Sequence, residues 1–288
     1  MADADIIAMT NKTTPLVMLG KPVAEALGRQ ISTKIAVAAN KGQKPALAIL
    51  TVGDDPASHV YKNRLIKLAK SLGADAFSEE LPPSASLAEV ILKIDKLNCD
   101  KHVTAVLPMQ PMPPQIDAAA VSALLAPHKD VDCQHPFNAG QLFLGEGMRA
   151  PCTPRACLEV LKYYGIELAG KHVVVIGRSN IVGKPAALLF LQQNATVTVC
   201  HSKTQNLPAL LRTADIIVAA VGRARFVKAD MVKDGVVLVD VGTNVVDDKL
   251  VGDIDEAAYT KASAYTPVPG GVGVVSNMMV MDMLSANL

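Results

Sequence analysis

A chain of 288 residues is long enough to bury two domain cores, and a formal charge of +1 removes any global attraction for nucleic acid. Its basic residues are scattered, and with no Trp and five Phe it has few platforms on which bases could stack. The five cysteines, Cys99, Cys133, Cys152, Cys157 and Cys200, form no CxxC pair, so no metal site is expected, and the odd count fits a reducing compartment.

Residues 1–20 carry Asp3, Asp5, Asn11 and Lys12 with no basic segment leading into an apolar one, and no apolar run reaches a membrane span. The expectation is a soluble, cytoplasmic α/β protein. Residues 21–39 show apolar residues at helical spacing, and Ala46–Val52 reads as a strand closed by the Gly53-Asp54-Asp55-Pro56 turn. A helix from Ser58 to Leu72, a strand around Phe77, a helix from Ser86 to Leu97, a strand over Val103–Leu107 and a helix from Asp117 to Leu125 follow. Alternation of this kind predicts a mostly parallel sheet. Pro108-Met109-Gln110-Pro111-Met112-Pro113-Pro114 holds four prolines in seven residues, which excludes regular structure. Such a stiff loop after a strand either walls a ligand site or simply connects two elements.

Residues 128–140 read as a polar loop, and Thr153 with Pro154 reads as the cap and first turn of a helix through Tyr163. The polar, Gly/Pro-rich stretch 138–154 divides two periodic blocks. Two domains are therefore expected, at 1–150 and 151–274. The first would be completed by a Met-rich helix within 275–288, read from Asn277 to Leu284, packing back on it.

The second block opens on the stretch that organises the chain. The β-branched run Val173–Ile176 breaks at Gly177-Arg178-Ser179-Asn180-Ile181-Val182-Gly183-Lys184 and becomes the apolar helix 185–191. Strand, glycine turn and helix bring backbone close to a ligand and aim free N–H groups at a phosphate. On spacing alone the signal is weak: Gly177 and Gly183 lie six apart without a middle glycine, and any strand-to-helix loop would read the same. The next strand, Ala195–Cys200, ends in His201-Ser202-Lys203, where an NAD site normally carries an acid for the ribose. A hydroxyl with cationic neighbours suits a 2′-phosphate instead, so the cofactor expected is NADP, with Arg178 as a second grip. A short helix at Leu207–Leu211, strands at Ala214–Ala220 and Gly235–Asp240, the turn at Gly242, a strand around Ala264 and the Thr266–Gly273 loop complete the block.

Several residues have a plain structural reading. Asp132 can cap a turn, and Tyr61 shares a helical face with Leu65 and Leu68. His135 and His201 suit local hydrogen bonding, and Cys133 suits packing.

Taken together and in order, Val52-Gly53-Asp54-Asp55-Pro56-Ala57-Ser58 with Tyr61, Lys129-Asp130-Val131-Asp132, Pro151-Cys152-Thr153-Pro154, Gly177-Arg178-Ser179 with Ile181-Val182-Gly183-Lys184-Pro185, Cys200-His201-Ser202, Asp240-Val241-Gly242 and Thr266–Gly273 closely resemble one family. It is the bifunctional methylenetetrahydrofolate dehydrogenase/methenyltetrahydrofolate cyclohydrolase family. The resemblance implies a substrate domain and a Rossmann-like NADP domain flanking a cleft, a tetrahydrofolate-type one-carbon carrier as substrate, and a homodimer. It implies that Tyr61 stacks on the pterin, that Asp132 accepts from its amidine edge, and that Gln110 lies at the reaction site. Gly177, Arg178, Ser179, Ile181, His201, Ser202 and Gly242 would hold the cofactor, with Arg178 and Ser202 on the 2′-phosphate. Pro267, Gly270, Gly271 and Val272 would line the cleft.

The same comparison exposes departures. Leu65 stands where the family places its catalytic lysine, Met109 where it places glutamine, and Cys133 and Ala156 replace glycines. Hydride transfer needs mainly positioning, whereas hydrolysis needs an activated water and a delivered proton, neither of which leucine supplies. The function expected from the sequence is therefore NADP-dependent oxidation of methylenetetrahydrofolate with weak or absent cyclohydrolase activity. Two alternatives stand beside it. One is the fully bifunctional enzyme with Arg64 or Lys67 compensating, disfavoured because Arg64, though adjacent to Leu65 in sequence, points to a different helical face and is a poor proton shuttle. The other is a nucleotide-binding regulatory protein without catalysis.

Overall fold

The computed structural model describes residues 14–146 and 149–287. In chain order the first half contains β1 (Leu16–Val17), α1 (Gly20–Asn40), β2 (Ala46–Val52), α2 (Pro56–Ser71), β3 (Asp75–Leu81), α3 (Leu87–Cys99), β4 (Ala105–Pro108), α4 (Ala118–Leu124) and α5 (Pro136–Leu144). The second half contains α6 (Cys152–Tyr163), β5 (His172–Ile176), α7 (Gly183–Gln192), β6 (Thr196–Cys200), α8 (Leu207–Thr213), β7 (Ile216–Ala219), β8 (Val236–Asp240), the hairpin β9 (Asn244–Val246) and β10 (Lys249–Val251), α9 (Glu256–Tyr259), β11 (Ala262–Tyr265) and α10 (Val272–Ser285).

Two parallel sheets result. In the first, β2 lies between β3 and β4. Every residue of β2 is buried, as expected of a parallel strand covered on both faces. The second sheet has the order β1-β11-β8-β7-β5-β6, and all its pairings are parallel. Residues 16–17, in which no element was expected, form the edge of the second sheet.

Local chemistry sets the helix starts. Asp55 accepts from the Ser58 amide with Pro56 at the first helical position of α2, and Ser86 and Glu89 form a reciprocal capping box on α3. Two expectations are corrected here. The loop expected over 128–140 is interrupted by α5, where His135 Nδ1 accepts from the Phe137 amide, Pro136 opens the helix and Gly145 at φ 74° closes it. The cap of α6 is not Thr153. The helix begins at Cys152, whose amide donates to the Asp132 carboxylate, while the Thr153 hydroxyl meets that of Ser276 at 2.9 Å.

Helix α10 starts five residues earlier than expected and is buried along most of its length against α1 and α6. Asp282 anchors it, pairing with Arg155 at 2.6 Å and Lys34 at 3.4 Å. The terminal helix therefore ties the two halves together and helps hold the cleft between them.

Candidate active site

The carboxyl ends of both sheets open on one cleft of about 520 Å³. Helix α2 contributes Tyr61 and Arg64, the end of β4 and the loop after it contribute Leu107 to Gln110, a later loop contributes Asp132, and the start of α6 contributes Cys152 and Thr153. Across from them stand Ile181, Val241 to Thr243, and Pro267 to Val274. Of the residues expected at the site, Tyr61, Gln110, Asp132, Ile181, Gly242, Pro267, Gly270, Gly271 and Val272 meet in this cleft.

Asp132 is held with care. Its Oδ1 accepts from the Cys152 amide at 2.8 Å and its Oδ2 lies 3.5 Å from Gln134 Nε2. Burial pushes its carboxyl above the ordinary range, and those hydrogen bonds oppose the shift. The loop carrying it is pinned by Asp130, which is fully buried and accepts from the amides of Gln134 and His135 and from Asn138 Nδ2. Lys129 closes the carboxyl end of α3, donating to the carbonyls of Leu97, Asn98 and Asp100. Burial also pushes the Tyr61 hydroxyl up, with Cys152 and Asp132 adding to the shift and Arg64 opposing it, so Tyr61 stays a neutral phenol.

The proline-rich loop contains a cis Gln110-Pro111 bond, and its Gln110 carbonyl accepts from the Ser58 hydroxyl at 3.3 Å. Met109 is buried beside it, yet also borders the cleft. Leu65 is fully buried in the core and does not reach the cleft. Arg64, next to Leu65 in sequence, lies on a different helical face from it, as expected: Leu65 is buried, whereas Arg64 is exposed and lines the cleft wall with Tyr61.

Gly177, Arg178, Ser179, His201 and Ser202 lie outside this volume, at the neighbouring ends of β5 and β6, where Gly177 N donates to the Cys200 carbonyl at 2.9 Å. Gly177 adopts φ 128° against Ala220, and Gly183 packs on the Gly177 carbonyl, so neither has room for a Cβ. Ser179 works inside the turn, its hydroxyl accepting from the amides of Val182 and Gly183. Among the described residues, the amides of Arg178 through Ile181 donate to no protein acceptor. A tight glycine turn with free amides at the start of a helix fits a dinucleotide's phosphates. Arg178 and Ser202 are exposed beside it, while His201 Nδ1 accepts from the Lys203 amide within its own turn.

Two positioning residues escaped the sequence reading. Asp240, buried at the end of β8, accepts from the amides of Gly242, Asp253 and Ile254. Asp253, also buried, accepts from the amides of Val221, Gly222 and Arg223 and from Asn244 Nδ2. Together they shape the loops that bring Gly242 to the cleft. The available signal was a carboxylate ending an apolar strand ahead of a glycine, a costly placement unless backbone amides meet it.

Known proteins share this arrangement. Residues 18–132 match the model of the tetrahydrofolate dehydrogenase/cyclohydrolase catalytic domain, and residues 151–287 match that of its NAD(P)-binding domain. The chain belongs to the tetrahydrofolate dehydrogenase/cyclohydrolase family. The bifunctional protein FolD of Geotalea uraniireducens is 47% identical over 264 residues, covering 91% of this chain and 94% of its own. That of Bacillus subtilis is 44% identical, covering 95% and 96%. Among solved structures, the bifunctional FolD methylenetetrahydrofolate dehydrogenase/cyclohydrolase of Campylobacter jejuni superposes with a TM-score of 0.92 at 38% identity, covering 94% of this chain and 97% of that one.

These findings overturn the expectation of weak or absent cyclohydrolase activity. Both domain models of the family match, and the close relatives are named as bifunctional along almost their whole length. The inference from Leu65 rested on leucine supplying neither an activated water nor a proton, and set compensation by Arg64 or Lys67 second. The fold instead brings Arg64 to the cleft wall.

Proposed function

We propose that this enzyme oxidises 5,10-methylenetetrahydrofolate with NADP and hydrolyses the resulting 5,10-methenyl compound to 10-formyltetrahydrofolate. The observation that carries the reading is the single cleft on which Tyr61 and Asp132 converge from one half with Gly242 and the Pro267–Val272 loop from the other. A Trypanosoma brucei methylenetetrahydrofolate dehydrogenase-cyclohydrolase, 35% identical with a TM-score of 0.90 over 94% of this chain and 96% of its own, is complexed with NADP and inhibitor, which supports both the cofactor and the cleft.

In this reading Tyr61 lays its neutral ring against the pterin, and Asp132 accepts two adjacent N–H donors of the pterin edge. Gln110 faces the one-carbon unit. The amides of the Gly177–Ile181 turn hold the pyrophosphate, Arg178 and Ser202 hold the 2′-phosphate, and His201 shapes the turn that presents Ser202. Gly242 and the Pro267, Gly270, Gly271 and Val272 backbone border the nicotinamide pocket. NADP⁺ supplies the hydride acceptor; the chain's own contribution is alignment of the methylene carbon and exclusion of water during transfer. The substrate half would comprise the residues before about 150 with α10, and the cofactor half the residues between. The active species would be a homodimer.

The purified protein should form reduced cofactor from NADP⁺ and methylenetetrahydrofolate, and should clear methenyltetrahydrofolate faster than buffer does. Cofactor binding with neither reaction would favour the non-catalytic regulatory alternative. Sedimentation equilibrium tests the dimer.

A further inference from the structure

Positive charge is scarce around the cleft. Among the described residues lining it, Arg64 is the one cationic side chain, and the same lining holds two carboxylates, Asp132 and Asp240. Asp240 is committed to three backbone amides, and Asp132 to Cys152 and Gln134. The neighbouring cation on α2 is committed as well. Lys62 is buried, with its Nζ 2.5 Å from Glu80 and 3.0 Å from His59 Nδ1, away from the cleft. Arg64, by contrast, is exposed and has no hydrogen-bond or ion-pair partner among the described residues. It lies one helical turn from Tyr61 on the same wall, close enough for its charge to counter the upward push on the Tyr61 hydroxyl.

A guanidinium stays protonated at any physiological pH, so it cannot relay a proton; its planar fork is suited to holding an oxygen that gains negative charge. We infer that Arg64 is the oxyanion donor of the hydrolytic step, a role that rests on the bifunctional reading above. Water adds to the methenyl carbon, forming a C–O bond and losing one proton to solvent, which discharges the cation and leaves a neutral tetrahedral hydroxyl; loss of its second proton to solvent gives the alkoxide that Arg64 holds. The alkoxide collapses to the formyl C=O as the C–N5 bond breaks; the bond's electron pair passes to N5, which takes a proton from water, and the hydroxide so formed is neutralised by the second proton released. The net change is one cation and one water to one formyl compound and one released proton.

The sign of the effect distinguishes the two reactions. Beside a cationic methenyl group, Arg64 raises the energy of the starting state and relieves it as the oxyanion develops, which favours hydrolysis. Hydride transfer creates that same cation, so Arg64 opposes it.

The test compares hydrolysis and hydride transfer in the full-length protein carrying Arg64→Met, Arg64→Lys and Arg64→Ala. Loss of an oxyanion donor lowers rates by about 10²-fold, so the ratio of hydrolysis to hydride transfer in Arg64→Met should fall by about that factor. Arg64→Lys should retain more of the ratio, and millimolar guanidinium should restore hydrolysis to Arg64→Ala. An unchanged ratio, an equal loss of both activities, or no rescue by guanidinium overturns the assignment while leaving the bifunctional reading in place. Wild-type protein that hydrolyses methenyltetrahydrofolate no faster than buffer overturns both.

Discussion

Replacing Gly183 with alanine sets two local effects against each other. Gly183 opens α7, and alanine inside an exposed helix would stabilise it by up to about 1 kcal/mol over glycine. The turn outweighs that gain. A Cβ at residue 183 would overlap the Gly177 carbonyl and lie 2.8 Å from the Arg178 amide nitrogen, both backbone atoms that cannot rotate away. Relief requires the turn between β5 and α7 to open, and overpacking of this kind costs roughly 1–3 kcal/mol. Because the distortion falls on the amides expected to face the cofactor's pyrophosphate, affinity should suffer more than stability. About 2 kcal/mol lost in binding alone corresponds to roughly 30-fold. Titration calorimetry with NADP should show the dissociation constant of Gly183→Ala raised at least tenfold, with tetrahydrofolate binding little altered. Unchanged NADP affinity, together with a higher melting temperature, would show that helix propensity dominates and that the turn is not the phosphate cradle.

Other consequences follow from single residues. Leu65→Ala should leave a cavity between α2 and the core and lower unfolding free energy by about 2–5 kcal/mol, read by urea melts, because Leu65 is fully buried. Asp240→Asn turns an amide donor toward one of the three backbone amides now facing the carboxylate, and should cost about 1–3 kcal/mol by the same assay. Asp132 has its carboxyl raised above 3.8 by burial. Unfolded chains therefore release this proton first, and the group's contribution to stability is present below 3.8 and is lost as pH rises through the folded value. Substrate affinity runs the opposite way, since the pterin edge needs the carboxylate. The acid limb of kcat/KM for methylenetetrahydrofolate should lie above 3.8 and vanish from the residual activity of Asp132→Asn; a limb unmoved by that substitution would remove Asp132 from substrate binding.

The parallel strands were legible because their burial is written as continuous, largely apolar runs, as in Val173–Ile176 and Ala46–Val52, with glycine or proline marking the ends. Helix α5 was not legible. It is short, contains Gly140, and leaves Phe137, Phe143 and Leu144 exposed, so its apolar residues do not repeat as a buried stripe. Strand β1 was hidden for a different reason: it has two residues, and its partner β11 lies at the far end of the chain. Within the site, side chains with their own chemistry, Tyr61 and Asp132, could be nominated from sequence. Asp130, Asp240 and Asp253 act by collecting backbone amides, with an asparagine side chain added at Asp130 and Asp253, and no local spacing reveals which donors the fold will deliver.

The α2 wall shows how fine the undecided margin was. In an α-helix, residues three and four positions beyond Tyr61 fall about 60° to one side of it and about 40° to the other. Both positions count as sharing its face, so periodicity cannot say which one meets solvent. The decision comes from what packs on each flank. Leu65 joins the buried cluster containing Ile31, Ile35 and Ala69, while Arg64 lies over the cleft. The edge between core and cleft therefore runs along the helix through Tyr61. A leucine at one position and an arginine at the next are both compatible with a charged reaction site, provided the charge is carried from the solvent side of that edge.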